Sequence, residues 1–142
     1  MNAPVVPEIS HVIQLAVAPV FLLSGVGVTL TALTNRLARI VDRARILEAQ
    51  SHVEDVPVNA DLATLKERAR LVNRALTLCT VCALLVCLVI VALFISPMAR
   101  VDLSGLIALL FIGAMAAYIA GLISFLREIF IATANLRIGR GN

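Results

Sequence analysis

Arginines are concentrated in one part of this chain. Eight of the twelve Lys and Arg residues lie between residues 36 and 74; they are Arg36, Arg39, Arg43, Arg45, Lys66, Arg68, Arg70 and Arg74. Six acidic residues share the segment, so its field is mixed. Basic residues close to a membrane attract anionic lipid by about 1 kcal/mol each. With a net charge of only +3, this pattern indicates lipid contact rather than binding to nucleic acid.

Two interpretations of the basic stripes remain open. A helical wheel places Arg36, Arg39 and Arg43 on one stripe, and Arg70 and Arg74 on another. Asp42 lies three residues from both Arg39 and Arg45, and such pairs contribute about 0.2 to 0.5 kcal/mol each on a helix. The stripes would then be salt-bridged, solvated faces whose arginines reach lipid headgroups. Alternatively, they form a basic ring around a cytoplasmic vestibule when several copies assemble.

The cysteines form a pattern that would suggest chemistry in a soluble protein. Cys79, Cys82 and Cys87 make a C-x-x-C followed by a third Cys, but they lie in an apolar stretch. Thiols in apolar surroundings are usually inert, and a closed zinc site needs four ligands. His11 and Glu8 alone do not make a site either. We therefore expect no metal, no cofactor, no catalytic residue and no enzymatic activity.

The arginines and cysteines are positioned by three stretches that contain no Asp, Glu, Lys or Arg. These stretches are residues 12–35, 75–99 and 103–126. Each exceeds the roughly 20 residues that a helix needs to cross a membrane. The whole chain is 61% hydrophobic and only 15% charged. This predicts an all-α polytopic membrane protein, a single domain over 1–142 with three transmembrane helices at about 9–35, 75–96 and 103–126.

The distribution of basic residues also predicts an orientation, since Lys and Arg near span ends favour the cytoplasm. The first span has no basic residue before it, and only Arg100 lies between the second and third. The N-terminus is therefore expected outside, and the hairpin at about 36–74 and a tail at about 127–142 in the cytoplasm. The chain has no basic region and cleavage pattern typical of a signal peptide, so the first span is expected to remain. The predicted location is the bacterial cytoplasmic membrane.

The cytoplasmic segment is expected to extend the first two spans as an antiparallel helical hairpin. Apolar residues recur at alternating spacings of three and four, which places one seam along a helix. The seams are Leu30, Leu33, Leu37, Ile40, Ala44 and Leu47, and then Leu62, Leu65, Ala69, Val72 and Leu76. A short echo, LARIVDRA at 37–44 and RARLVNRA at 68–75, lies at the two membrane-proximal ends.

The run APVFLLSGVGVTLTALTNRLARIVDRAR carries a resemblance. It is similar to the bacterial domain-of-unknown-function family 2721, whose members look like small multi-span membrane proteins with a long first helix ending in an arginine-rich segment. The matching positions are Pro19, Asn35, Arg36, Arg39, Asp42, Arg43 and Arg45. The resemblance implies the membrane class and supplies no reaction or substrate.

The first span is the most polar of the three. Its candidate pore residues lie roughly along one side of a helix and are Gln14, Ser24, Thr31 and Asn35. Such a face either lines a pore or ligand path, or forms hydrogen bonds between helices, each worth about 0.6 kcal/mol. Pro19 removes one backbone hydrogen bond in mid-helix and is expected to kink the span.

The third span has a stripe of small residues, Gly113, Ala117 and Gly121, which allows a second helix to approach closely. That helix belongs either to the same chain or to another copy. Tyr118 lies off the stripe, and its hydroxyl is expected to find a backbone acceptor on an adjacent helix.

Two classes of function remain. Ionisable residues inside spans mark proton relays and voltage sensors, and the three stretches lack them. The first class is a homo-oligomeric channel or passive transport protein, and the second a structural or adaptor protein whose hairpin binds a partner. The expected partners are the bilayer, including anionic lipid, and further copies of the chain.

Overall fold

Three long helices make up the computed structural model, which describes residues 5–51 and 59–138. They are α1 (Val5–Ser51), α2 (Asn59–Ala99) and α3 (Ser104–Ile138). Each contains a segment long and apolar enough to span a membrane. The predicted all-α class and the three membrane-length helices are thus confirmed. The segment predicted as a tail from residue 127 is helical as far as Ile138, so α3 continues 12 residues beyond its charge-free stretch.

Helix α1 is much longer than a bilayer is thick. Its 47 residues correspond to about 70 Å at 1.5 Å per residue, against a hydrocarbon core of about 30 Å. Pro19 lies inside α1 and is buried, and the helix continues on both sides of it. The kink at Pro19 stays a prediction.

Helix α2 packs against both α1 and α3. The buried core combines Leu33 and Ile40 of α1 with Leu65 and Val72 of α2, and the remaining seam residues of α1 flank it. Alternate spacings of three and four place these side chains on one face of each helix, and that face is buried against the partner helix. The 3,4 periodicity therefore correctly identified the faces at which α1 and α2 meet.

The two helices run in opposite directions. His11 and Leu15 near the start of α1 line one cavity with Leu93 and Ser96 near the end of α2. At the other end of the bundle, Arg43 and Leu47 share a cavity with Leu65. This arrangement brings the arginine-bearing halves of α1 and α2 side by side.

A tight turn joins α2 to α3. Arg100 adopts a left-handed conformation with φ of 52°, and the backbone N–H of Val101 donates to the carbonyl of Ser96 at 3.3 Å. This is the Schellman arrangement that ends a helix. The Asp102 carboxylate then accepts hydrogen bonds from the backbone and hydroxyl of Ser104. These bonds hold the pKa of the Asp102 carboxyl below its usual range and fix the start of α3.

The outer surface of the bundle is strongly apolar along its charge-free length. Large side chains such as Phe21, Leu109 and Ile112 are 67 to 75% exposed. Soluble monomers rarely expose extended apolar surface, whereas lipid tails are a favourable environment for it. The surface therefore agrees with a protein embedded in a membrane.

Candidate functional site

The most unusual feature of the structure is a fully buried acidic side chain, Glu128. It lies on α3, two residues beyond the stretch 103–126, and its side chain is 0% exposed. Arg36 from α1 and Arg68 from α2 both form salt bridges with it. We call these three residues the Glu128 triad. It joins all three helices: Arg36 directly follows the stretch 12–35 and Glu128 follows 103–126 by two residues, whereas Arg68 precedes 75–99 by seven.

The geometry of the triad uses both carboxylate oxygens. Oε1 accepts hydrogen bonds from Nε and Nη2 of Arg68 at 3.0 and 2.9 Å. Oε2 accepts a hydrogen bond from Nη1 of Arg36. The Arg36 guanidinium also lies over the ring of Phe125, 5.2 Å from its centroid, in a cation–π arrangement. The carboxylate is thereby held from two sides.

Burial explains why Glu128 requires two partners. Removing a carboxylate from water costs several kcal/mol, which is offset only by close charges and satisfied lone pairs. The Arg36 and Arg68 side chains are 41% and 24% exposed, respectively. They neutralise Glu128, and their side chains stay partly exposed. Two arginines around one glutamate leave the triad with a net positive charge.

A cavity of about 280 Å³ adjoins the triad and is lined by arginines from two helices. Arg36, Arg39 and Arg43 come from α1 and Arg68 from α2, and Ile40 and Leu65 supply its apolar wall. We call it the arginine cavity. Three successive positions of the predicted α1 stripe thus line one cavity. The fourth arginine, Arg68, was not among the residues predicted for it.

The local salt bridges expected on α1 do not form. Neither Arg39 nor Arg45 makes a salt bridge with Asp42; among the residues that the structure describes, the salt bridges are those of Glu128. On an exposed helix face, a pair of flexible charged side chains gains little over hydration. Arg39 and Arg43 therefore remain available to other anions. Arg70 and Arg74, predicted as part of the same basic site, are exposed on α2 and do not line the cavity.

The candidate pore residues lie on the outside of the single chain. Gln14, Ser24, Thr31 and Asn35 are all exposed, and the Thr31 hydroxyl donates to the carbonyl of Gly27 at 3.1 Å. A Cβ added at Gly27, which lies about 40° around α1 from Thr31, would meet nothing within 4 Å. This face of α1 is therefore open to a neighbour along the whole charge-free stretch.

The small residues of α3 face α2 of the same chain. A Cβ at Gly121 would lie 3.1 Å from Sγ of Cys79 and 3.3 Å from the carbonyl oxygen of Ala75, and one at Gly113 would lie 3.7 Å from Leu85. Ala117 borders the same core. The predicted backbone acceptor for Tyr118 was wrong. The Tyr118 hydroxyl instead forms a hydrogen bond with the Thr29 hydroxyl of α1, at 3.0 Å.

The remaining candidates are the three cysteines and the pair of His11 and Glu8. Cys79 and Cys82 are buried and Cys87 is exposed, and no group of three potential metal ligands occurs among the described residues. His11 shares a cavity of about 350 Å³ with Ser96 and Asp102. The Glu8 side chain and residues 52–58 lie outside the described residues.

Sequence reasoning missed Glu128 as well as Arg68. Glu128 falls in the segment 127–142 that the sequence predicts as a tail, because it lies two residues beyond the third charge-free stretch. One signal was available: it is the only acidic residue after Asp102, and it lies next to Arg127 in the otherwise apolar run at 125–130. A single acid in a mostly apolar segment near the end of a span marks a group that needs a partner. Its partners are 92 and 60 residues away, so sequence spacing could not identify them.

Comparison with known proteins gives a family. A model described as "Protein of unknown function (DUF2721)" matches residues 16–138. No curated protein and no solved structure matches the chain.

Proposed function

The chain belongs to the DUF2721 family of proteins of unknown function, and we propose that it is a homo-oligomeric membrane channel or passive transport protein. One observation carries the proposal: the polar face of α1 is exposed along the outside of the chain. Polar side chains facing lipid tails are unfavourable, whereas small and polar residues are enriched where membrane helices pack. Copies that turn this face towards a common axis would enclose a polar path.

The open glycine on this face supports the same arrangement. Gly27 lies about 40° around α1 from Thr31, with space beside it. Absence of side chains lets a second helix approach closely enough for van der Waals contact and weak hydrogen bonds. Three helices enclose no wide path alone, so the function requires the assembly.

The positions of the arginines around α1 refine the vestibule in this proposal. At 100° per residue, Arg39 lies about 80° around α1 from Thr31, whereas Arg36 and Arg43 lie about 140° and 120° away. Arg39 therefore belongs to the edge of the polar face, and the other two to the side facing α3. A basic vestibule would contain Arg39, with Arg70 and Arg74 on the outer side of α2.

The first experiment measures oligomeric state and flux together. Native mass measurement in lipid nanodiscs is expected to show a closed multimer. Thr31→Leu is expected to change ion flux into liposomes because it replaces a polar group of the path. Thr80→Leu is the matched control, since Thr80 is exposed on α2 and also donates to a carbonyl four residues earlier. A monomer, or equal flux in the two variants and the native chain, would refute the proposal.

We propose further that the arginine-bearing end faces the cytoplasm of a bacterial cell. The excess of basic residues between the first two apolar stretches supports this orientation. A membrane-impermeant maleimide should label Val101→Cys in intact cells and Gln50→Cys only after permeabilisation, both in a chain whose three native cysteines are replaced by serine. Labelling with the opposite preference would reverse the orientation.

A second candidate function rests on the length of α1 and α2. Both helices extend beyond their charge-free stretches and remain packed there through Ile40, Leu65 and Val72. This hairpin would be a rigid element able to bind a partner, with the spans as an anchor. A monomeric state together with no flux would favour this function over the channel.

A further inference from the structure

We propose that the arginine cavity binds the phosphate group of an anionic lipid. Four arginines from two helices line it, and planar guanidiniums bind phosphate oxygens through paired, charge-assisted hydrogen bonds. Its volume of about 280 Å³ exceeds the roughly 30 Å³ of one water molecule and accommodates a headgroup phosphate. The inference does not depend on the channel proposal.

The balance of charge favours an anion. Among the described residues, Glu128 is the carboxylate that forms salt bridges with lining residues, through Arg36 and Arg68, so the four lining arginines and Glu128 together carry a net charge of +3. Arg39 and Arg43 form no salt bridge with any described residue. Like charges held this close repel one another, and a bound phosphate would relieve the repulsion.

A neighbouring cavity shows that the excess of positive charge is confined to the arginine cavity. That cavity of about 420 Å³ also contains Arg43 and Arg68, but Asp61 and Thr64 line it as well. A carboxylate in the wall disfavours a phosphate by repulsion. Among the described residues, none that lines the arginine cavity is acidic, which makes it the better phosphate site of the two.

The position along the helices favours lipid over a soluble phosphate. Arg36 is the first charged residue after the stretch 12–35, and Glu128 follows the stretch 103–126 by two residues. The cavity consequently lies at the depth where apolar surface ends and lipid headgroups begin. A lipid whose phosphate occupies the cavity can keep its acyl chains against the apolar surface of the bundle.

The echo in the sequence provides a matched test. Arg39 and Arg43 occupy the same places in the segment 37–44 as Arg70 and Arg74 in 68–75. The double variants Arg39→Gln/Arg43→Gln and Arg70→Gln/Arg74→Gln therefore remove equal charge in similar local sequence. Both retain the Glu128 triad, so both are expected to fold.

Native mass spectrometry in detergent with added phosphatidylglycerol or phosphatidylcholine measures the binding. The native chain is expected to prefer phosphatidylglycerol about tenfold, and Arg39→Gln/Arg43→Gln to lose that preference. Arg70→Gln/Arg74→Gln is expected to change affinity by less than about twofold, because exposed charges act only weakly. Equal losses in both double variants, or no preference in the native chain, would overturn the proposal.

A further arm distinguishes the source of the phosphate. Inorganic phosphate, added at millimolar concentration without anionic lipid, is expected neither to raise the melting temperature nor to displace phosphatidylglycerol. Displacement would overturn the assignment to lipid. If the double variant at the cavity did not fold, Arg43→Gln with Arg74→Gln as its control would make the same comparison.

Discussion

The segments 37–44 and 68–75 share five of eight residues in register, but the structure gives them different surroundings. In α1, Ile40 is buried and Val41 is 37% exposed; in α2, the counterpart of Val41, Val72, is fully buried. The arginines differ too, since Arg39 and Arg43 line a cavity and Arg70 and Arg74 do not. Similar sequence therefore does not produce similar environments, because the neighbouring helices decide which face is covered.

The largest expected effect concerns Arg68, which begins the α2 segment where α1 has Leu37. Glu128→Gln removes the charge that Arg68 and Arg36 share and leaves two arginines beside a neutral group. We expect a loss of about 3 kcal/mol in the free energy of unfolding, measured by denaturant titration in micelles with circular dichroism. Glu67→Gln, at an exposed position on α2, should cost less than about 0.5 kcal/mol. Equal losses of stability in Glu128→Gln and Glu67→Gln would show that the salt bridge of Arg68 gives the α2 segment no special role.

The next effect tests the two valines directly. Val72→Ala should destabilise the protein by about 2 kcal/mol because it opens a cavity in the core, and Val41→Ala by less than about 0.5 kcal/mol. The same micellar unfolding assay compares them. If Val41→Ala were the more harmful substitution, the assignment of buried faces would be reversed.

A smaller effect tests the last residue of each segment. The carbonyl of Ala75 lies beside Gly121, whereas Ala44 only borders the core. Gly121→Ala should lower stability by about 1 to 2 kcal/mol, since its Cβ would lie too close to Cys79 and to that carbonyl. Gly25→Ala has free space and should be neutral or slightly stabilising by helix propensity. Thermal melts of the two variants provide the measurement, and a stable Gly121→Ala chain would contradict the close packing.

The smallest effect concerns the arginines themselves. Arg39→Gln/Arg43→Gln and Arg70→Gln/Arg74→Gln should each change the free energy of unfolding by less than about 0.5 kcal/mol in the absence of anionic lipid. Thermal melts in neutral detergent measure this change. A large loss in the first variant alone would assign Arg39 and Arg43 a structural role in addition to lipid binding.

Sequence reasoning worked where a property is local or periodic. The three helices and the contact faces of α1 and α2 follow from stretches without charge and from apolar residues at helical spacing, as Leu33, Ile40, Leu65 and Val72 show. The triad depends on contacts between residues 60 and 92 positions apart. Its members could be suspected from composition, but their pairing requires the relative heights of three helices, which periodicity does not contain.

The tight turn between α2 and α3 has a consequence at the far end of the bundle. Gly121 meets Cys79 and Glu128 meets Arg68, so the two helices remain in step from the turn onwards. Glu128 lies 24 residues from Ser104, about 36 Å along α3. One residue inserted after Arg100 that shifted α3 as a rigid helix would rotate Glu128 by about 100° and raise it by 1.5 Å, away from both arginines. The number of residues between the turn and Glu128 therefore determines whether its carboxylate can reach both arginines.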